Sequence, residues 1–172
     1  MPDIISKNGF ARAGLIRRIA AIIYDSLVVC ALALAAAAIG MFFLGLAQTL
    51  GLFTTTGHQD LAAWLQAHTV IHILFQIYVL SCVCYFYIWF WSQGGQTVGM
   101  KAWRLRIQNE SGHDISKKQA LIRLASSVFG LGNLWLLFAP KYKLALQDYV
   151  AKCEVVVLTK DANQHKNWQK LY

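Results

Sequence analysis

Two long runs of apolar residues dominate the hydrophobic pattern of the chain. Residues 15–47 are rich in Ala and Leu, and no Asp, Glu, Lys or Arg occurs from Ser26 to Gln59. Residues 69–92 form the second run, and aromatic side chains crowd its C-terminal end. A membrane-spanning helix needs about 20 mainly apolar residues, and aromatic side chains collect at the membrane surface. The pattern therefore predicts two transmembrane helices.

The stretch between these runs, residues 48–68, is predicted to be a loop that ends in a short helix. Gly57, Asp60 and a run of three threonines are typical of a loop. Residues 61–67 are expected to form a short helix at the membrane surface, with Trp64 at the level of the lipid headgroups.

Two short segments after the second run have the character of strands. Residues 102–107 partly alternate between apolar and polar side chains, which suits a strand with one wet face. Residues 153–158 include three consecutive valines, and valine favours strands. We expect the two segments to pair as a short cytoplasmic β element.

The third apolar run, residues 119–139, is shorter than the other two. Arg123 and Lys141 bracket only 17 residues, which as a helix would span roughly 25 Å, a little less than the hydrocarbon thickness. Pro140 ends the run, and six lysines follow it. Because a third full span would place all six lysines outside, the pattern favours a re-entrant or surface-lying segment.

Basic residues avoid the 48–68 loop. The net charge is +8, and 57% of the residues are apolar while only 14% are charged. Four Lys or Arg precede the first span, and five lie between the second span and the third run. Since cytoplasmic loops carry an excess of Lys and Arg, the N-terminus and residues 93–118 are predicted to face the cytoplasm. The positive charge is divided among segments separated by apolar runs, which argues against nucleic-acid binding.

The sharpest candidate for chemistry is an acid inside the first span. Asp25 is the last charged residue before the apolar core, and Arg18 lies seven positions earlier on nearly the same helical face. A carboxylate at that depth is costly unless it is paired or protonated, so we expect an Arg18–Asp25 pair. The pair could belong to a proton or cation pathway, or it could only fix helix packing. Asp148 could approach Arg17 or Arg18 from the cytoplasmic side, or it could be a solvated surface charge.

Other combinations of residues give weaker signals. His68 and His72 are four positions apart, a spacing that suits a metal, but no carboxylate or Cys clearly completes the set. We therefore predict an ordinary interfacial pair, with no metal and no cofactor. The four cysteines are expected to be free, buried thiols. No Ser-His-Asp or Cys-His set with the spacing of a known enzyme family occurs, so no enzymatic activity is predicted.

A glycine-rich stretch follows the second span. Residues 94–99 superficially resemble a phosphate-binding loop, but they lack its Lys-Ser/Thr ending and, by prediction, a following helix. We expect a turn that closes the second span onto the strand. Its motif residues are Gly95, Gln96, Thr97 and Gly99.

Four motifs in order make the chain resemble the RDD family of small integral membrane proteins, named for one arginine and two aspartates. They are Arg17-Arg18 with Asp25, Gly95-Gln96-Thr97-Val98-Gly99-Met100-Lys101 with Leu105-Arg106-Ile107, Gln119-Ala120-Leu121-Ile122-Arg123, and Gln147-Asp148 with Val155-Val156-Val157. The resemblance implies that the named residues are Arg18, Asp25 and Asp148. Val98 stands where the family commonly has proline, and Lys152-Cys153 stands where it often has Gly-Thr.

The resemblance implies a multi-pass membrane protein, usually bacterial, without a settled activity. Some relatives are proposed to exchange sodium and protons, and others look like accessory subunits. A pathway through a chain with so few spans would require an oligomer. In the first hypothesis the protein is transport-related, with Asp25 as the ionisable centre, Arg18 as its tuning partner and Asp148 as a gate-side carboxylate. The alternative is a non-catalytic membrane scaffold or accessory subunit, which binds helices of a partner membrane protein through small residues such as Gly40.

The predicted fold is an all-α membrane protein. It is a small helical bundle with two transmembrane helices, a third embedded helical segment and a short cytoplasmic β element. The expected division is a cytoplasmic tail (residues 1–14), a membrane domain (residues 15–158) and a basic C-terminal tail (residues 159–172). The expected location is the inner membrane, with the lipid bilayer and either further copies of the chain or another membrane protein as partners.

Overall fold

The computed structural model of the chain is mostly helical and describes residues 5–6, 9–138 and 143–164. Its elements are β1 (Ala11–Arg12), α1 (Leu15–Thr49), α2 (Leu61–Ala67), α3 (Thr69–Gln93), α4 (Val98–Ala102), β2 (Leu105–Asn109), α5 (Lys117–Ser127), a 3-10 helix (Val128–Leu134), α6 (Trp135–Phe138), α7 (Leu146–Ala151) and β3 (Cys153–Val157). The chain divides into two compact units. One combines the residues up to Val28 with those from Phe86 onward, and the other comprises Val29–Tyr85.

Helices α1 and α3 are the two predicted spans. They contain 35 and 25 residues, both are strongly apolar, and almost none of their most apolar stretches is buried inside the protein. Exposed apolar side chains along a helix of this length are what a lipid environment requires. Within the second unit, Gly40 of α1 faces the ring of Phe75 on α3, and a Cβ at Gly40 would lie 2.7 Å from Phe75 Cε2. The small residue therefore lets the two helices approach each other closely, as glycine does in membrane helix pairs.

The predicted interfacial helix is also present, as α2. Its N-cap is Asp60, whose Oδ1 accepts a hydrogen bond from the backbone N–H of Ala63 at 2.7 Å. His68 lies between α2 and α3, where its Nδ1 is 2.8 Å from the carbonyl oxygen of Trp64. His68 and His72 therefore do not lie on one continuous helix, because the helix is interrupted at His68.

A three-stranded antiparallel sheet of order β1-β3-β2 anchors the first unit. Val156, in the central strand, pairs with Arg106 on β2 and with Arg12 on β1. The predicted pairing of the two segments is confirmed, but β2 starts at Leu105 rather than at residue 102. Arg104 causes the late start, because its φ of 57° turns the chain between α4 and β2.

Part of the predicted N-terminal tail, the described stretch next to α1, belongs to the sheet. Ala11–Arg12 forms β1, and the backbone N–H of Ala13 donates to the carbonyl oxygen of Val155 at 2.8 Å. A partly buried ion pair joins β1 to β3, with Arg12 Nε 2.8 Å from Glu154 Oε2. Residues 11–12 are thus part of the sheet, directly before the start of α1.

The core of the first unit lies where the sheet meets the short helices. Its completely or almost completely buried apolar side chains include Leu105, Ile107, Val155, Ala120 and Ala151. The third apolar run is not one straight helix, because Lys117–Ser127 and Gly130–Leu137 are bent by 80° relative to each other. Helix α5 packs against α7, and α7 contacts β3.

Candidate functional site

Three charged side chains meet in the interior of the first unit. Asp148 is 1% exposed and accepts from two arginines, with Arg18 Nη2 2.7 Å from its Oδ2 and Arg123 Nη1 2.5 Å from its Oδ1. Both arginines are also buried. We call Arg18, Arg123 and Asp148 the charge cluster.

Each member of the charge cluster comes from a different helix. Asp148 lies in the first turn of α7, where its Oδ2 also accepts from the backbone N–H of Ala145 at 2.8 Å. A carboxylate in this position stabilises a helix N-terminus by binding an N–H group that has no partner within the helix. The cluster therefore fixes where α7 starts relative to α1 and α5.

The two arginines are held by further contacts. Arg18, in the first turn of α1, donates from Nε to Ala13 O at 3.2 Å and from Nη2 to Lys143 O at 3.1 Å. Arg123 donates from Nη1 to Cys153 Sγ at 3.0 Å, and its guanidinium carbon lies 5.4 Å from the ring centre of Trp91. The planar guanidinium group suits such multiple contacts better than a lysine would.

The charges of the cluster shift the pKa of its acid. Burial alone would raise the pKa of Asp148, but the attraction of Arg18 and Arg123 outweighs burial and holds that pKa below its usual range. Burial also raises the pKa of the neighbouring Cys153 thiol, although Arg123 opposes the shift. Asp148 is therefore a fixed negative charge, and Cys153 a neutral thiol, near neutral pH.

Asp25 lies elsewhere in the same unit and has different partners. Its side chain accepts from the hydroxyl of Thr97 at Oδ2 and from the backbone N–H of Gly99 at Oδ1, the latter at 2.8 Å. Thr97 is the N-cap of α4 and accepts in turn from the N–H of Met100 at 3.3 Å. Asp25 is only 4% exposed, and these hydrogen bonds join it to the N-terminus of α4.

Gly99 is required for this close contact between α4 and α1. A Cβ at residue 99 would meet the carbonyl oxygen of Ala21 and would lie 2.8 Å from the backbone N of Asp25. Real Cβ atoms essentially never approach so closely, so a side chain here would push α4 away from α1.

The predicted turn after the second span is present, but α4 follows it, contrary to the expectation that no helix would. Gly95 has a φ of 67°, and its carbonyl oxygen accepts from the N–H of Ile107 at 2.7 Å. Gln96 donates from Nε2 to Leu105 O at 2.8 Å. These two hydrogen bonds join the turn to β2.

The structure brings together only part of the predicted site. The expected approach of Asp148 to Arg18 is confirmed, and the alternative of a solvated surface charge for Asp148 is wrong. The predicted Arg18–Asp25 pair is also wrong, because Arg18 pairs with Asp148 and Asp25 binds Thr97 and Gly99. Helical spacing correctly puts Arg18 and Asp25 on one face of α1, but the neighbouring elements decide their partners.

Sequence reasoning missed Arg123 as a member of the site. The residue was named only as the end of a motif, and the sequence signal was its position as the single charge within an otherwise uncharged stretch. Among the described residues, no group of three or more His, Cys, Asp or Glu side chains is arranged to hold a metal ion.

Comparison with known proteins gives one result. The model of the RDD family matches residues 12–152, which include α1, the charge cluster and the turn before α4. No curated protein and no solved structure matches the chain. Since the match covers most of the chain, and the charge cluster and the Asp25 contacts lie within it, the chain belongs to the RDD family.

Proposed function

We propose that this membrane protein takes part in the exchange of a monovalent cation for protons, with Asp25 as the ionisable centre and without enzymatic chemistry. The observation that carries the proposal is the setting of Asp25. It is buried on an apolar, membrane-length helix, and no cationic side chain among the described residues pairs with it. An acid in that position is costly as an uncompensated charge.

Asp25 and Asp148, which are both buried in the first unit, differ in what could neutralise them. Asp148 has two arginines at 2.5 and 2.7 Å, so its negative charge is already compensated. Asp25 has only neutral donors, the Thr97 hydroxyl and the Gly99 N–H. A proton or a small cation can therefore supply the compensation at Asp25, and exchange of one for the other is the elementary step of an antiporter.

The proposal changes the roles of the other two named residues. We assign Arg18 and Asp148 a structural role, as members of the charge cluster that hold α1 and α7 together. Asp148 is then not a gate-side carboxylate, and Arg18 is not the partner that tunes Asp25. Because two spans rarely enclose a pathway, we propose that transport occurs in a homo-oligomer in the inner membrane, with the N-terminus in the cytoplasm.

A second candidate, a non-catalytic scaffold or accessory subunit, is favoured by the charge cluster itself. Both carboxylate oxygens of Asp148 are bound, and the arginines have further acceptors in Ala13 and Lys143 or in Cys153. Residues used in this way stabilise a fold, as buried ion pairs commonly do without any part in transport.

Ion flux in proteoliposomes separates these candidates. We expect wild-type protein to couple an imposed Na⁺ or K⁺ gradient to a change of internal pH, read from an enclosed pH-sensitive dye. Asp25→Asn keeps the size of the side chain and can still accept from Thr97, but it cannot exchange a proton. Its flux should fall to that of protein-free liposomes.

The matched control is Glu110→Gln, which removes an exposed acid in the turn after β2 and should leave flux at the wild-type rate. All three proteins should elute as the same species in size-exclusion chromatography. Wild-type flux no faster than that of protein-free liposomes with either cation would reject transport and leave the scaffold as the better explanation. Equal flux in wild type and Asp25→Asn would reject Asp25 as the centre.

A further inference from the structure

Two short helices of the first unit, α5 and α7, carry apolar side chains that neither the charge cluster nor the proposed transport uses. Each of these side chains is large, and between 39% and 56% of its surface is exposed. They are Leu121 and Ile122 on α5, and Leu146, Tyr149 and Val150 on α7. We call these five residues the apolar face. Exposed apolar side chains that adjoin one another mark a binding surface.

The two helices lie side by side and antiparallel. Gln119, near the start of α5, donates from Nε2 to Ala151 O at the end of α7 at 3.2 Å. Asp148, at the start of α7, pairs with Arg123 further along α5. Ala120 of α5 and Ala151 of α7 belong to the same buried core, and the helices pack against each other above it. The exposed sides of both helices therefore point away from that core and form one surface.

Three lysines lie at one end of this surface. Lys117 and Lys118 begin α5, Lys152 follows the last turn of α7, and Gln119 Nε2 is 3.4 Å from Lys152 O. All three lysines are exposed, and none forms a salt bridge with another described residue. The acid that the two helices contain, Asp148, is buried and already bound by two arginines. An apolar face with a basic end complements a membrane surface that carries anionic headgroups.

The charge cluster places the surface beside the start of the first span. Arg18, in the first turn of α1, donates to Asp148 at the start of α7 at 2.7 Å and to Ala13 O at 3.2 Å. Helix α7 therefore begins level with residues 13–18, where a membrane-length helix starts. Tyrosine, which α7 exposes at Tyr149, is typical of this boundary between headgroups and acyl chains.

We propose that α5 and α7 together bind anionic phospholipids of the surrounding bilayer. The apolar face lies among the upper acyl chains, and Lys117, Lys118 and Lys152 contact the phosphate groups. The proposal extends the embedded part of the chain to α7, and it assigns the bound lipid a negative charge.

Contact between one labelled position and brominated lipids tests the proposal. The reporter is Val150→Cys carrying bimane, in the full chain with its four native cysteines replaced by serine. The protein is placed in mixed vesicles of phosphatidylglycerol and phosphatidylcholine, and bromine on the acyl chains of one lipid at a time quenches bimane on contact. Phosphatidylglycerol should be preferred about tenfold or more. Lys117→Gln/Lys118→Gln should lower the preference about fivefold or more, because one lysine near an anionic surface contributes about fivefold.

Matched controls change similar positions elsewhere. Lys101→Gln/Lys160→Gln removes two other exposed lysines and should leave the preference for phosphatidylglycerol unchanged. Bimane at Leu34→Cys, an exposed apolar position within α1, should be quenched equally by both lipids. Bimane at Glu110→Cys, in the turn after β2, should be quenched by neither.

Three results would overturn the proposal. Quenching at residue 150 as weak as at residue 110 would mean that water, a second copy of the chain or another protein covers the apolar face. Equal quenching by the two lipids would mean that the lysines select no anionic headgroup. Loss of the preference on addition of glycerol 1-phosphate would mean that the lysines bind a soluble phosphate instead. The experiment measures no ion flux, so its result is independent of the proposed transport.

Discussion

The charges of Asp25 and Asp148 balance those of Arg18 and Arg123, and all four residues are buried in the same compact unit. Arg18 and Arg123 contribute two positive charges and the two acids two negative ones, but both arginines are bound to Asp148. The charge cluster alone therefore has a net charge of +1, and Asp25 is the acid whose protonation changes the total. Under the proposed function, Asp148 is the structural acid and Asp25 is the acid that exchanges its proton.

From the charge cluster we predict how the ionisation of Asp148 makes the free energy of unfolding depend on pH. Its folded-state pKa lies below the ordinary value of 3.8, so its contribution is complete above about pH 4 and is lost as the pH falls through the folded-state pKa. Asp148→Asn leaves two buried arginines without their counterion and should cost about 3 to 5 kcal/mol at pH 7. The thermal unfolding midpoint in detergent should therefore be much lower for the variant at pH 7, and the difference should shrink below pH 4.

The control for this titration is Glu110→Gln, whose midpoint should follow that of the wild type at every pH because residue 110 is exposed. A difference between Asp148→Asn and the wild type that stayed constant down to pH 2.5 would mean that Asp148 does not titrate with a lowered pKa. In that case the interaction with the arginines would be weaker than the distances indicate.

At the scale of elements, the long helices, the short helix α2 and the sheet pairing could be predicted, whereas β1 and α4 could not. The spans α1 and α3 begin at the predicted residues and end within two residues of the predicted bounds, because a run of apolar residues defines a membrane helix without help from its neighbours. Helix α4 has only five residues, and it depends on the cap of Thr97 and on contact with Asp25. Such tertiary contacts produce no periodic pattern of apolar residues, so the sequence alone does not predict the helix.

Val98 and Lys152, two residues that depart from the family pattern, both lie at the ends of short helices. Val98 is the first residue of α4, the helix position where proline is most favourable, which fits the proline common there. Lys152 ends α7 with a φ of 50°, a left-handed conformation that glycine adopts at no steric cost. The backbone geometry is retained in this chain even though the residue that favours it is absent.

Packing of α4 on α1 gives a prediction at Gly99. Gly99→Ala places a Cβ against backbone atoms of Ala21 and Asp25, which cannot move as a side-chain end can. Overpacking of this kind costs about 1 to 3 kcal/mol, and it should also weaken the hydrogen bond from residue 99 to Asp25. Thermal unfolding in detergent should show the loss. Gly14→Ala is the matched control, because nothing lies within 4 Å of its added Cβ, and a similar loss there would rule out the close contact as the cause.

For the whole molecule, the sheet restricts how the chain can cross the membrane. Strands β1, β2 and β3 are hydrogen-bonded to one another, so a bilayer cannot separate them. Helices α1 and α3 lie between β1 and β2 and provide two crossings, which returns the chain to the same side. The bent segment lies between β2 and β3, where a single crossing would place neighbouring strands on opposite sides. The number of crossings between paired strands must therefore be even, which favours a re-entrant or surface-lying segment over a third span.

Cysteine labelling in spheroplasts with a membrane-impermeant maleimide tests whether the three strands lie on the same side of the membrane. Three exposed positions serve as single reporters in a chain whose four native cysteines are replaced by serine: Thr56→Cys in the loop after α1, Glu110→Cys after β2 and Lys160→Cys after β3. The distribution of Lys and Arg predicts that only Thr56→Cys reacts in intact spheroplasts, and that the other two react after permeabilisation. Reaction of Thr56→Cys and Lys160→Cys from outside, with Glu110→Cys protected, would show that the bent segment crosses the bilayer. Since β2 and β3 could then not pair in the membrane, that result would contradict the sheet itself, whereas a reversal of all three reporters would change only the orientation.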